Sequence, residues 1–132
     1  MFERVHHIGM AVRDMDAAVA LYESVGGTLL GRETSIDGTV ELSTIQLGDG
    51  SMIEPISPNT NDSPLAQHLE QHGEGLHHIA YTVKDIVGAL EQLRDGGHTL
   101  IDEVPRPGFG GKLIAFVQAE TTMGALWELV EE

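Results

Sequence analysis

The chain has 132 residues, with 7 Lys and Arg against 21 Asp and Glu, a net charge of −14. That length suits one domain with a real core, and 41% hydrophobic with 21% charged residues is a globular rather than a disordered composition. The negative charge repels phosphate backbones and anionic lipid, which argues against a nucleic-acid or membrane role, and the absence of cysteine removes disulfides, thiol nucleophiles and thiolate metal sites.

Val5 to Val12 is β-branched and apolar, broken only by Gly9, and reads as a strand. Asp14 or Asp16 then caps a helix whose apolar stripe includes Val19 and Tyr22 and which Gly26-Gly27 stops. Strand signals return at Val40, from Leu42 to Leu47, and at Met52-Ile53-Glu54. Asp62-Ser63-Pro64 starts a linker helix with proline in its first turn, and Gly73 ends it. Leu76 to Val83 is a second strand of the first kind. Asp85 caps a helix carrying Ile86, Leu90 and Leu93, Gly96-Gly97 stops it, and Lys112 to Val117 and Ala125 to Val130 read as strands.

The second half repeats the first. Val5-His6-His7-Ile8-Gly9-Met10-Ala11-Val12-Arg13-Asp14 returns 71 residues later as Leu76-His77-His78-Ile79-Ala80-Tyr81-Thr82-Val83-Lys84-Asp85. The expected class is α+β, two tandem βαβββ modules whose half-sheets curl around a shared cleft. They form one domain over 1–132, with module one to about 58, the linker helix at about 62–73 and module two from about 75.

Neighbouring strand residues face opposite ways, so only one histidine of each His-His pair points inward. His7 and His78 are equivalent and are candidates to converge. The last strand of each module adds a carboxylate, Glu54 and Glu128. Two imidazoles and two carboxylates suit one divalent ion, Zn²⁺, Mn²⁺, Co²⁺, Ni²⁺ or Fe²⁺, acting as a Lewis acid on a substrate oxygen. Gly108-Phe109-Gly110-Gly111, flanked by the scarce cations Arg106 and Lys112, reads as a loop closing on a carboxylate or phosphate. His68, His72 and His98 read as surface residues.

His6 to Val12, Asp62 to Ala66, Gly73 to Ala80, Asp102-Glu103-Val104-Pro105-Arg106-Pro107-Gly108 and Trp127 to Val130 together resemble the vicinal oxygen chelate (glyoxalase) superfamily. Within it they resemble the methylmalonyl-CoA epimerase family. The resemblance implies metal ligands His7, Glu54, His78 and Glu128, and inversion of (2R)- and (2S)-methylmalonyl-CoA by α-proton transfer through a metal-stabilised enolate. It also implies Glu128 and Glu41 as the two bases, Arg106 and Lys112 as substrate contacts, and an acyl-CoA-binding homodimer. Counting from Glu54-Pro55 instead puts Ser51 in the second ligand slot. Gln118-Ala119-Glu120 stands where relatives carry His-Pro-Lys.

Rival readings are a glyoxalase I-like lyase, an Fe(II) extradiol dioxygenase built on His7, His78 and Glu128 with Ser51 in the remaining slot, and a metal-free binding or resistance protein. The opening Met1-Phe2-Glu3-Arg4 runs straight into strand, and no apolar run approaches the ~20 residues of a membrane helix, so a cytoplasmic setting is expected. The acid excess also suits a protein kept hydrated in high salt.

Overall fold

Two aspartates set the main helices. In the computed structural model, which describes residues 1–132, α1 (Met15–Ser24) begins at Asp14, whose carboxylate accepts from Ala17 N at 3.1 Å. The matching α3 (Ile86–Asp95) begins at Asp85, which accepts from Gly88 N at 3.0 Å. Each carboxylate satisfies a backbone N–H that has no partner inside its helix. Ser63 does the same for the linker helix α2 (Pro64–His72), with Pro64 in its first turn and Gly73 as its C-cap.

Eight strands accompany them: β1 (Val5–Ala11), β2 (Thr28–Thr34), β3 (Val40–Gln46), β4 (Met52–Pro58), β5 (Gly75–Val83), β6 (Arg106–Pro107), β7 (Leu113–Val117) and β8 (Leu126–Glu131). The expected βαβββ pattern therefore occurs twice. Thr28–Thr34 had no clear strand signal, and the second copy's equivalent is reduced to two residues at Arg106–Pro107. The chain belongs to the α+β class. No helix is long and apolar enough to cross a membrane.

Contacts divide the chain into two compact units, but not where the repeat alone would cut it. One unit is His7–His77, which includes α2; the other is Met1–His6 with His78–Glu132. The first six residues belong to the second unit because their backbone joins β5: Glu3 N donates to Thr82 O and Thr82 N to Arg4 O, both at 2.9 Å. Phe2 stacks on Tyr81 with ring centroids 4.5 Å apart and meets Trp127 edge-on.

In the His7–His77 unit the strand order is β2-β3-β4-β1, with β4 parallel to β1. α1 covers one face through Met15 and Val19, which pack on Ile45, with Val12, Tyr22, Leu29 and Ile53 around them. Gly27 lets the helix end come this close, because a Cβ there would lie 2.7 Å from Ile45 Cγ2. In the other unit the order is β5-β8-β7-β6, with β8 parallel to β5. α3 buries Ile86, Ala89, Leu90 and Leu93 against Val83, Ala115, Val117 and Leu129. Truncating a fully buried leucine such as Leu90 to alanine would cost about 2–5 kcal/mol.

Strand alternation gives each four-stranded sheet a second face, away from its helix. The two units build that face with the same register. Gly9 pairs with Glu54 across β1 and β4, and its repeat equivalent Ala80 pairs with Glu128 across β5 and β8.

Candidate metal centre and acyl-group site

His7 lies two residues before Gly9, and His78 two before Ala80, so each histidine shares a strand face with the carboxylate of its own unit. His7 Nδ1 is 2.6 Å from Glu54 Oε2, and His78 Nε2 is 3.1 Å from Glu128 Oε2. All four residues are buried, none more than 7% exposed. Their neighbours His6 and His77 are only half-buried.

A buried, ionised carboxylate is stabilised by a nearby positive charge. An imidazole supplies one only when protonated, whereas a divalent ion supplies it at neutral pH and leaves the imidazole neutral as a nitrogen donor. The donor chemistry of each pair thus fits half of an N₂O₂ set for a borderline divalent ion. The matched register also settles where the strand places its carboxylate. Glu54 is the counterpart of Glu128, while Ser51 precedes β4 and is exposed. Ser51 does not share the buried strand position.

Arg106 joins the face that carries Glu128. Phe116 is opposite Glu128 in the β7–β8 ladder, and its ring meets His78 edge-on with centroids 5.6 Å apart. The Arg106 guanidinium lies over the Phe116 ring, 5.6 Å from its centroid, and Nε donates to Asp102 Oδ1 at 3.0 Å. Asp102 Oδ2 also accepts from Phe116 N at 2.8 Å, so one carboxylate orients both residues. The sequence signal for Phe116 is its position two residues after Ile114 in an alternating strand.

Lys112 does not join Arg106. Its ammonium pairs with Glu132, as does Arg4, and these partners with His6 hold the Glu132 carboxyl below its ordinary range, Lys112 contributing most. Glu132 is four residues past Glu128, roughly 13 Å along the strand. The glycine loop between the two cations is folded tightly: Gly108 N donates to Lys112 O at 2.8 Å, and a Cβ on Gly108 would fall 2.8 Å from Ile114 Cγ2.

Glu41, expected as the second base, lies on the other face of its sheet from Glu54. In β3, Ile45 packs on α1 and Ser43 Oγ donates to Met15 Sδ, so the odd-numbered residues face the helix. Glu41 shares that face and pairs with Ser57, not Glu54. Its carboxylate accepts from Arg32 Nε at 2.8 Å, and the same guanidinium reaches Asp16 of α1 at 2.7 Å. Strand parity separates Glu41 from the His7–Glu54 pair.

Residues 6–116 match the profile of the glyoxalase/bleomycin resistance protein/dioxygenase superfamily. The uncharacterised Bacillus subtilis protein YqjC is 41% identical over 97% of this chain and 91% of its own length. The ethylmalonyl-CoA/methylmalonyl-CoA epimerase of Cereibacter sphaeroides is 33% identical, over 98% of both chains. A variant methylmalonyl-CoA epimerase of Streptomyces coelicolor, solved in complex with 2-nitronate-propionyl-CoA, superposes with a TM-score of 0.90 at 30% identity, covering 100% of this chain and 96% of that one. The two βαβββ copies, their matched His–Glu pairs and these alignments agree: the chain belongs to the glyoxalase/bleomycin resistance protein/dioxygenase superfamily and, within it, to the methylmalonyl-CoA epimerase family of isomerases.

Proposed function

We propose that the protein interconverts the (2R) and (2S) forms of methylmalonyl-CoA or a closely related 2-substituted malonyl-CoA, with His7, Glu54, His78 and Glu128 holding one divalent ion. The observation that carries this reading is the repeated register: in each unit a buried histidine and a buried glutamate meet on the sheet face away from the helix. The epimerase relatives lend it the substrate class. When bound, the ion supplies Lewis acidity that makes the α-proton of a thioester easier to remove.

The chain's own groups do the rest. Glu128 is the base that takes or returns the α-proton, since His78 at 3.1 Å from Oε2 fixes the carboxylate. Phe116 walls the same face with an apolar ring, which limits water there. Arg106, exposed and oriented by Asp102, offers a fixed guanidinium to the free carboxylate of the acyl group or to a phosphate. Inversion requires a second base on the opposite side of the carbon; Glu41, which the resemblance implies for that role, is held by Arg32 on the α1 side of β3.

The test is α-proton exchange of methylmalonyl-CoA in D₂O, with the apo chain and after adding Co²⁺ or Mn²⁺. Metal-dependent exchange is expected, falling by about 10²-fold or more in Glu128→Gln. Glu54→Ala should lower the ion content and Ser51→Ala should not. Metal binding without exchange on this substrate would overturn the substrate assignment.

A further inference from the structure

Three imidazoles outside that ligand set gather where α2 approaches the start of β5. His68 and His72 are four residues apart on α2, which places them on one helix face, while Leu65 and Leu69 take the buried side. The His68 ring centroid is 4.9 Å from that of His72 and 4.7 Å from that of His77. His68, read from sequence as a surface residue, is in fact half-buried at the centre of the group. His77 faces away from His78 by strand alternation, so the group is distinct from the His78–Glu128 pair.

The His68–His72 and His68–His77 separations are each those of a pair of shared ligands. Two imidazoles on one tetrahedral ion, each at about 2.0 Å, have ring centroids about 5 Å apart. An i, i+4 histidine pair on a helix is also an arrangement that lets both rings turn a nitrogen to the same point. The outer ring, His72, is exposed, which gives an ion access from solvent.

We propose that His68, His72 and His77 form a further metal site, selective for an imidazole-preferring transition ion such as Zn²⁺, Ni²⁺ or Cu²⁺, with water completing the coordination. Ring rotation about χ1 and χ2 aims one nitrogen of each residue at the ion. The site ties α2 to β5 across Gly73-Glu74-Gly75, where both glycines have positive φ, 76° and 146°. An ion here braces the turn that leads directly into His78. It stands whether or not the epimerase reading holds.

The experiment is Zn²⁺ stoichiometry on the full chain by equilibrium dialysis and atomic emission, with Cu²⁺ electron paramagnetic resonance as a second readout. Wild type should hold one more ion than His68→Gln/His72→Gln, and its Cu²⁺ spectrum should contain an additional nitrogen-coupled component that this variant loses. His72→Gln alone, a change at an exposed helix position, should weaken Cu²⁺ binding at the same site and guards against misfolding of the double variant. Zn²⁺ should raise the Tm of wild type more than that of the double variant. Equal ion counts and unchanged Cu²⁺ spectra across wild type and both variants would overturn the proposal.

Discussion

Glu54 and Ser51 lie three positions apart, and counting along the sequence leaves both eligible for the same role. The choice belongs to strand pairing: Gly9 opposes Glu54 just as Ala80 opposes Glu128, and Ser51 falls before the strand begins. Glu41 shows the reverse outcome. Its place after Gly38-Thr39-Val40 suggested a base, yet parity within β3 turns it to α1 and Arg32 holds it there. An exposed pair of this kind is worth about 0.5 kcal/mol. Glu41→Gln is therefore expected to change Tm by no more than a degree or two and to leave α-proton exchange within a few-fold of wild type. Loss of exchange with an unchanged Tm would show instead that Glu41 reaches the reacting carbon.

At the level of elements, the helices were legible and part of the sheet was not. Aspartate and serine caps, a proline in the first turn of α2 and glycine stops are local signals, and each acts within a few residues of where it is written. β2 carries Gly31-Arg32-Glu33 and is largely exposed, so neither apolar alternation nor a buried run marks it. What holds it is the hairpin with β3. The turn between them is organised by Asp37, whose carboxylate accepts from Thr39 N at 3.0 Å and from the hydroxyls of Ser35 and Thr39 at 2.7 Å. These bonds favour the ionised form and lower its pKa to about 2, the Thr39 backbone bond contributing most. A depressed carboxyl contributes stability that is fully present above its unfolded value near 3.9 and is lost as pH falls toward 2. Asp37→Asn should accordingly flatten the fall in Tm between about pH 4 and pH 2, measured by calorimetry. An unchanged profile would remove Asp37 from the acid response.

Over the whole molecule, charge is the dominant long-range term. With −14 on 132 residues, self-repulsion works against the folded state, and ion pairs such as Arg32–Asp16 and Arg94–Glu103 offset only a fraction of it. Near 1 M salt the Debye length shrinks to about 3 Å, so most of that repulsion is screened. A gain of about 1 kcal/mol, or roughly 4 °C in Tm, is expected on adding NaCl to that level. A Tm that stays level or falls would show that local pairs outweigh the net charge.

The amino-acid sequence by itself determined the tandem βαβββ plan, the places of the three helices and the pairing of His7 with His78 as equivalent positions, while the structure chose Asp14 over Asp16 as the cap of α1. Each of these depends on short-range chemistry or on a repeat that can be read by comparing the chain with itself. Tertiary structure decided which carboxylate meets which imidazole, which face Glu41 takes, where residues 1–6 belong and that His68 draws His72 and His77 around it. Strand alternation fixes only that neighbours face opposite ways; it does not say which way, or against which partner. Those answers come from ladders such as β1–β4 and β5–β8, which join residues more than 40 positions apart and are set by burying the apolar faces of α1 and α3.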